Sequence, residues 1–178
     1  ALVLALAHVY FFRLGSASQR QQLWGRLRNK LTEVRAGDDA RLPADFLALR
    51  APGKLDEVVD TAKRRFCSRF ALEPGVALNE ALTENLYVVV IAILNKIPVF
   101  VVGKPGSSKT LAMSVIVSNL QGAQSPRPFW RRFPAVALFS FQCSPMTQAN
   151  GINEQFKMAC NYAKHAANTR TVLLLDEV

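Results

Sequence analysis

Residues 99–113 read VFVVGKPGSSKTLAM, a short apolar run that empties into a Gly/Pro/Ser loop and ends in Lys-Thr. Wrapping a polyphosphate takes inward-pointing backbone N–H groups, little side-chain bulk, a helix N-terminus aimed at the charge and one cation that reaches the outer phosphates. The loop GKPGSSKT supplies those parts. Gly103 suits a sharp exit from a strand and Pro105-Gly106 a bend. The Lys109 ammonium suits the β and γ phosphates, and the Thr110 hydroxyl suits Mg²⁺. The loop fits the pattern G-x-x-x-x-G-K-[ST] except at Ser108, which stands where the second glycine belongs. A serine is tolerated there if its φ is negative, and that is the expectation.

A second motif follows. VLLLDEV puts Asp176 and Glu177 at the carboxyl end of an apolar run. In P-loop ATPases the first acid assists Mg²⁺ binding and the second polarises the attacking water, since phosphoryl transfer is governed by positioning and charge stabilisation. An Asp-Glu pair can also merely end a strand. Beside a Lys-Thr loop, the nucleotide reading is the stronger.

Other reactive side chains lack partners in the sequence. His8 and His165 are isolated, and Ser140, Cys143 and Ser144 have no evident base. Arg131 and Arg132 fall in the connection before a strand and read as solvated charge. Cys67, Cys143 and Cys160 form no C-x-x-C pair, which suits a reduced, intracellular, cytoplasmic setting. The formal net charge of +9 raises a nucleic-acid partner. The basic excess is spread through both halves, however, and Lys63, Arg64, Arg65 and Arg69 alternate with Phe66 and Phe70 as a solvated helix face would. No nucleic acid is therefore expected. The opening ALVLALAHVYFF is too short for a membrane span, which needs about 18–20 apolar residues, and reads as a buried helix.

The elements that must position the two motifs follow from periodicity. QRQQLWGRLRNKLTEV repeats Leu23, Leu27, Leu31 and Val34 at helical spacing, RAGDDARLPAD interrupts, and KLDEVVDTAKRRFCSRF aligns Leu55, Val58, Val59, Ala62, Phe66 and Phe70. A helix from Leu78 to Leu94 is ended by NKIP, because proline disfavours helical geometry before it. VFVV suits a parallel strand buried on both faces, and KTLAMSVIVSNL the helix after the loop. QGAQSPRPFWRRFP reads as a surface connection, AVALFSFQC as a strand, GINEQFKMACNYAKHAA as a helix and TVLLLDEV as a third strand. That alternation describes an α/β fold with a parallel sheet, preceded by an α-helical region.

The stretches ALNEALTENLYVVVIAILNKIPVFVVGKPGSSKTLAM, NLQG, FPAVALFSFQCSP, GI and LLLDEV together resemble an AAA+ module of the mysterin family, giant RING-finger E3 ubiquitin ligases with a dynein-like array of AAA modules. The likeness is clearest over residues 75–178, so 1–74 is assigned as a helical lead-in or linker and 75–178 as a partial AAA+ core, truncated after its third strand. The resemblance implies ATP and Mg²⁺ as cofactors. It maps phosphate binding onto Gly103, Lys104, Pro105, Gly106, Ser107, Ser108, Lys109 and Thr110, metal coordination onto Thr110 and Asp176, and catalysis onto Lys109 and Glu177. It treats Ser108 as a family variant. It implies neighbouring AAA+ modules of the same chain as partners, and a ubiquitin-conjugating enzyme and substrates for the parent protein. No RING pattern occurs in these residues, so ligation would belong to the parent. In such modules the strand after the Asp-Glu motif lies between the two motif strands, so the isolated stretch is expected to fold poorly and to be hydrolytically silent. The loop CSPMTQANGI lacks the aromatic residue of threading machines, which favours a conformational motor. Two rival functions are an ATP-binding scaffold with negligible turnover and a basic, nucleic-acid-stimulated P-loop ATPase.

Overall fold

A computed structural model describes residues 2–33, 47–104 and 106–176. They belong to two compact units, Ala1–Phe66 and Cys67–Val178. Val34, the RAGDDARLPAD interruption, Pro105 and Glu177 lie outside the described residues.

The first unit is helical. α1 spans Leu2–Val9, α2 Ala17–Glu33 and α3 Lys54–Cys67. Its core gathers Ala7, Phe11, Trp24, Leu55 and Val59, with Leu23 and Leu27 packed against them. The leucine stripe of α2 is thus only partly buried. Its anchor is Trp24, stacked on Phe11 with ring centroids 4.8 Å apart, because one large ring removes more apolar area from water than the leucines beside it. The expected solvated basic face of α3 requires a correction. Lys63 is 6% exposed and holds Asp60 at 2.8 Å, its long stem buried along apolar surface. Arg64 and Arg65 remain exposed.

His8 lies in α1 with its Nδ1 buried and unbonded. Burial, with the nearby Arg13 charge, holds its pKa below the ordinary 6.5. The unfolded chain therefore takes up a proton more readily than the folded unit between those values. Stability from His8 is complete above about pH 6.5 and falls as pH drops below it toward the folded-state pKa. The protection factors of α1 amides, taken relative to the intrinsic exchange rate at each pH, are expected to fall across that window, and His8→Leu to flatten the response. An unchanged acid response in His8→Leu would contradict this assignment.

The second unit mixes helices with a two-stranded parallel sheet. α4 spans Glu80–Asn95, α5 Lys109–Asn119 and α6 Ala149–His165. β1, Ala135–Gln142, and β2, Thr169–Asp176, pair in parallel, with Ala135 opposite Thr169 and Gln142 opposite Asp176. α4 starts where Asn79 accepts a hydrogen bond from the Leu82 N–H at 2.8 Å, and ends where Lys96 turns left-handed. It buries Leu82, Leu86, Val89, Val90 and Ile93 along its core stripe. α4 packs on α5, and α6 lies against both strands. The end of α5 is joined to β1 by the Val136 N–H donating to the Leu120 carbonyl at 2.8 Å.

Two expectations fail here. Residues 99–102 form no strand, and Phe100 and Val102 are 93% and 95% exposed. An apolar run becomes a strand only through a ladder partner. Among the described residues the sheet contains β1 and β2 alone, so the segment stays outside the sheet.

The connection 121–134 is not a surface loop. It forms two short 3₁₀ turns, Gly122–Gln124 and Trp130–Arg132, and buries Gly122, Ser125 and Trp130. Trp130 packs on Phe70 at 4.5 Å and Phe129 at 4.8 Å between ring centroids. Its indole N–H donates to the Arg69 carbonyl at 3.0 Å. Arg69 and Arg132 lie over the Phe129 ring at 4.0 and 4.3 Å, so both serve the aromatic cluster, and Arg131 donates to the Ser125 carbonyl.

Candidate phosphate-binding site

The loop 103–110 connects the apolar segment 99–102 to α5. Its bend is a turn in which the Ser107 N–H reaches the Lys104 carbonyl at 3.2 Å. Gly106 has φ +77, a left-handed conformation that glycine adopts without steric cost. A Cβ added to Gly103 would sit 2.7 Å from the Ser107 hydroxyl, so the chain folds tightly back on itself there. The Lys109 ammonium is held inside this curl. It donates to the carbonyls of Gly103 at 2.6 Å and Lys104 at 3.2 Å, and contacts the Ser107 hydroxyl at 3.4 Å.

α5 begins at Lys109, and the Ala112 N–H closes on the Ser108 carbonyl at 2.9 Å. The N–H groups of the residues before Ala112 are the helix's orphan donors, and with the helix dipole they favour an anion at this end. The loop therefore presents one ammonium and a helix N-terminus side by side.

Ser108 departs from expectation. Its φ is +59 and ψ 22, so the residue at the second-glycine position is left-handed after all. A side chain in that conformation costs about 1–2 kcal/mol, and glycine would avoid most of it. The serine hydroxyl makes no capping bond. Ser108→Gly is expected to stabilise the loop by about 1 kcal/mol, less the entropy a glycine adds to the unfolded chain. Slower amide exchange at the start of α5 would register this; faster exchange would contradict it.

The two motifs, separated by most of the second unit, come together. The Thr110 hydroxyl donates to an Asp176 carboxylate oxygen at 3.3 Å. Asp176 ends β2, and its carbonyl accepts the Cys143 N–H at 2.8 Å beyond β1. The pair offers two hard oxygens, one neutral and one anionic, a donor set that fits Mg²⁺, which takes few protein ligands and keeps water or phosphate oxygens in its other positions. Among the described residues no cluster of three or more His, Cys, Asp or Glu side chains could hold a metal.

One contact was missed in the sequence. The Asn85 side-chain amide, in the middle of α4, donates to the Ser107 carbonyl at 2.8 Å. The signal was an amide in the middle of a helix otherwise rich in buried aliphatic residues, whose other amide, Asn95, lies at its end. The other reactive residues gather no chemistry. His165 is exposed at the end of α6, Cys143 is a buried thiol, and the buried Cys67 thiol donates to the Thr83 carbonyl at 3.4 Å. The Ser144 N–H is turned onto the Thr147 hydroxyl at 2.8 Å, which leaves Met146 at the exposed tip of its loop. No helix among the described residues is long and apolar enough to cross a membrane.

Comparison with known proteins meets this geometry. The family model of the RNF213 AAA domain matches residues 75–178. The chain is similar to the E3 ubiquitin-protein ligase RNF213 of Homo sapiens, 38% identical over 126 residues, and to that of Mus musculus, 39% identical over 126 residues, each match covering 70% of the chain. It is also similar to the E3 ubiquitin-protein ligase rnf213-beta of Danio rerio, 38% identical over 105 residues, or 58% of the chain. The matches span about 2% of the length of each relative. An AAA domain implies nucleotide binding in general terms. The chain therefore belongs to the RNF213 AAA domain family.

Proposed function

We propose that residues 75–178 are part of an AAA+ P-loop ATPase core, with 1–74 as its helical lead-in, that binds ATP with Mg²⁺ and hydrolyses it. The observation that carries this reading is the approach of Thr110 to Asp176 beside the Lys109 loop. Three side chains from two distant motifs converge where a helix N-terminus already favours anions.

In this reading the loop 103–110 holds the phosphates, its N–H groups and the Lys109 ammonium taking their charge. Thr110 and Asp176 hold Mg²⁺. The metal-bound nucleotide supplies a phosphoryl group whose developing charge is partly neutralised. Glu177 orients and deprotonates the attacking water. Lys109 exchanges its carbonyl partners for phosphate oxygens, a stronger charge-assisted pairing. Within a ligase of the RNF213 type the hydrolysis drives conformational change passed to neighbouring AAA+ modules. Ubiquitin-conjugating enzyme and substrates are engaged elsewhere in that cytoplasmic protein.

Glu177→Gln in the intact protein tests turnover. Hydrolysis at this site is expected to fall about 10²–10⁴-fold, the scale of a lost general base, while ATP stays bound. Unchanged hydrolysis with undiminished binding would identify a nucleotide-ordered scaffold instead.

A further inference from the structure

The geometry points to Asn85 as a positioning residue of the phosphate loop: by holding the Ser107 carbonyl, it aims the Ser108 N–H for phosphate and keeps Ser108 in its left-handed conformation. The inference rests on the nucleotide reading above.

The Ser107 carbonyl lies one residue ahead of the first α5 hydrogen bond, which closes on Ser108. It therefore needs an acceptor's partner from outside the helix ladder. Asn85 provides one at 2.8 Å from half-buried α4 surface. The 107–108 peptide is trans, so its carbonyl and its N–H point in opposite directions. Fixing the carbonyl on α4 turns the Ser108 N–H away from α4. Rotation of this peptide would lose the Asn85 bond and carry the N–H with it.

The same bond bears on the strain at Ser108. With φ at +59, serine tends to relax toward negative φ, and that relaxation rotates the adjoining peptide. A donor anchored in a packed helix opposes it. Leu82, Leu86 and Val89, on either side of Asn85 along α4, are buried, so the anchor is rigid. The motif's usual glycine needs no such support, whereas this chain has serine together with a tether. Asn85 and Ser108 should consequently be coupled energetically.

The test uses the intact protein and a fluorescent ATP analogue, with the binding lost in Lys109→Ala defining the signal of this site. Asn85→Ala is expected to weaken that binding about 5–10-fold, as for loss of one hydrogen bond. Asn85→Asp, which keeps the size but replaces the donor with an acceptor, should weaken it at least as much. Alanine is the better helix former, so the first variant does not unfold α4. In a Ser108→Gly background the effect of Asn85→Ala should shrink to less than about twofold, since removing the Cβ removes what the tether opposes. A residue that merely packs α4 would show the same loss in both backgrounds. Equal losses, or full binding in Asn85→Asp while Lys109→Ala abolishes the signal, would overturn the inference alone. No loss in Lys109→Ala would overturn the nucleotide reading and the inference with it.

Discussion

Lys109→Ala is expected to lower ATP affinity at this site about 10²–10³-fold and to reduce the nucleotide held per intact protein by one equivalent. The ammonium is the only side-chain cation among the described residues that donates into the curl of the loop, reaching the Gly103 and Lys104 carbonyls and the Ser107 hydroxyl. Its removal takes away a charge-assisted contact to phosphate, worth about 1.5–3 kcal/mol for a hydrogen bond to a charged group, and the longer-range attraction with it. The local fold should survive, because the contacts of Lys109 lie within its own loop. Lys109→Arg should not substitute, since a planar fork does not reproduce a compact ammonium at the same point. Filter binding of labelled ATP measures both quantities. Unaltered stoichiometry in Lys109→Ala would exclude the loop as a nucleotide site.

The largest effect on stability is expected at Trp130, far from any phosphate. Trp130 is fully buried, packed against a tilted Phe70 ring and edge-on to Phe129, and its indole N–H satisfies the Arg69 carbonyl. Truncation to alanine leaves a cavity and an unpaired carbonyl together, and large-to-small changes of this kind cost about 3–5 kcal/mol. Trp130→Ala should therefore accelerate amide exchange in β1 and α6 by about two to three orders of magnitude, since each 1.4 kcal/mol is a factor of ten. Trp130→Phe keeps the ring packing but not the donor, and should fall between. Protection unchanged in Trp130→Ala would show that the connection 121–134 is a surface loop in solution.

The contrast between these residues explains what the sequence revealed. The loop and the Asp176 motif stood out because their residue types and spacing fit phosphate and Mg²⁺ chemistry, and the contact of Thr110 with Asp176 shows that the two lie together. Helices α2 to α6 and strands β1 and β2 were legible from their apolar period. Residues 99–102 carried the same apolar signal, yet composition reports only that a run can enter a sheet. Whether it does depends on a partner strand, and β1 pairs with β2 instead. Trp130 was hidden for the opposite reason. Its neighbours Pro126, Pro128, Arg131 and Arg132 suggest an exposed turn, and the aromatic contacts that bury it come from Phe70, distant in sequence. The sign of φ at Ser108 is likewise a tertiary property. Its conformation follows from the curl of the loop rather than from serine's own preference, and the contact from Asn85 becomes visible only once α4 and the loop are side by side.

Electron cryomicroscopy of the intact protein with ATPγS and Mg²⁺ would decide whether the loop 103–110 holds nucleotide. Triphosphate density is expected inside the loop 103–110, with the Lys109 ammonium moved from the Gly103 carbonyl onto phosphate oxygens and a cation between Thr110 and Asp176. A loop without nucleotide, still closed on Lys109 while ATPγS occupies other sites of the same protein, would contradict the nucleotide reading.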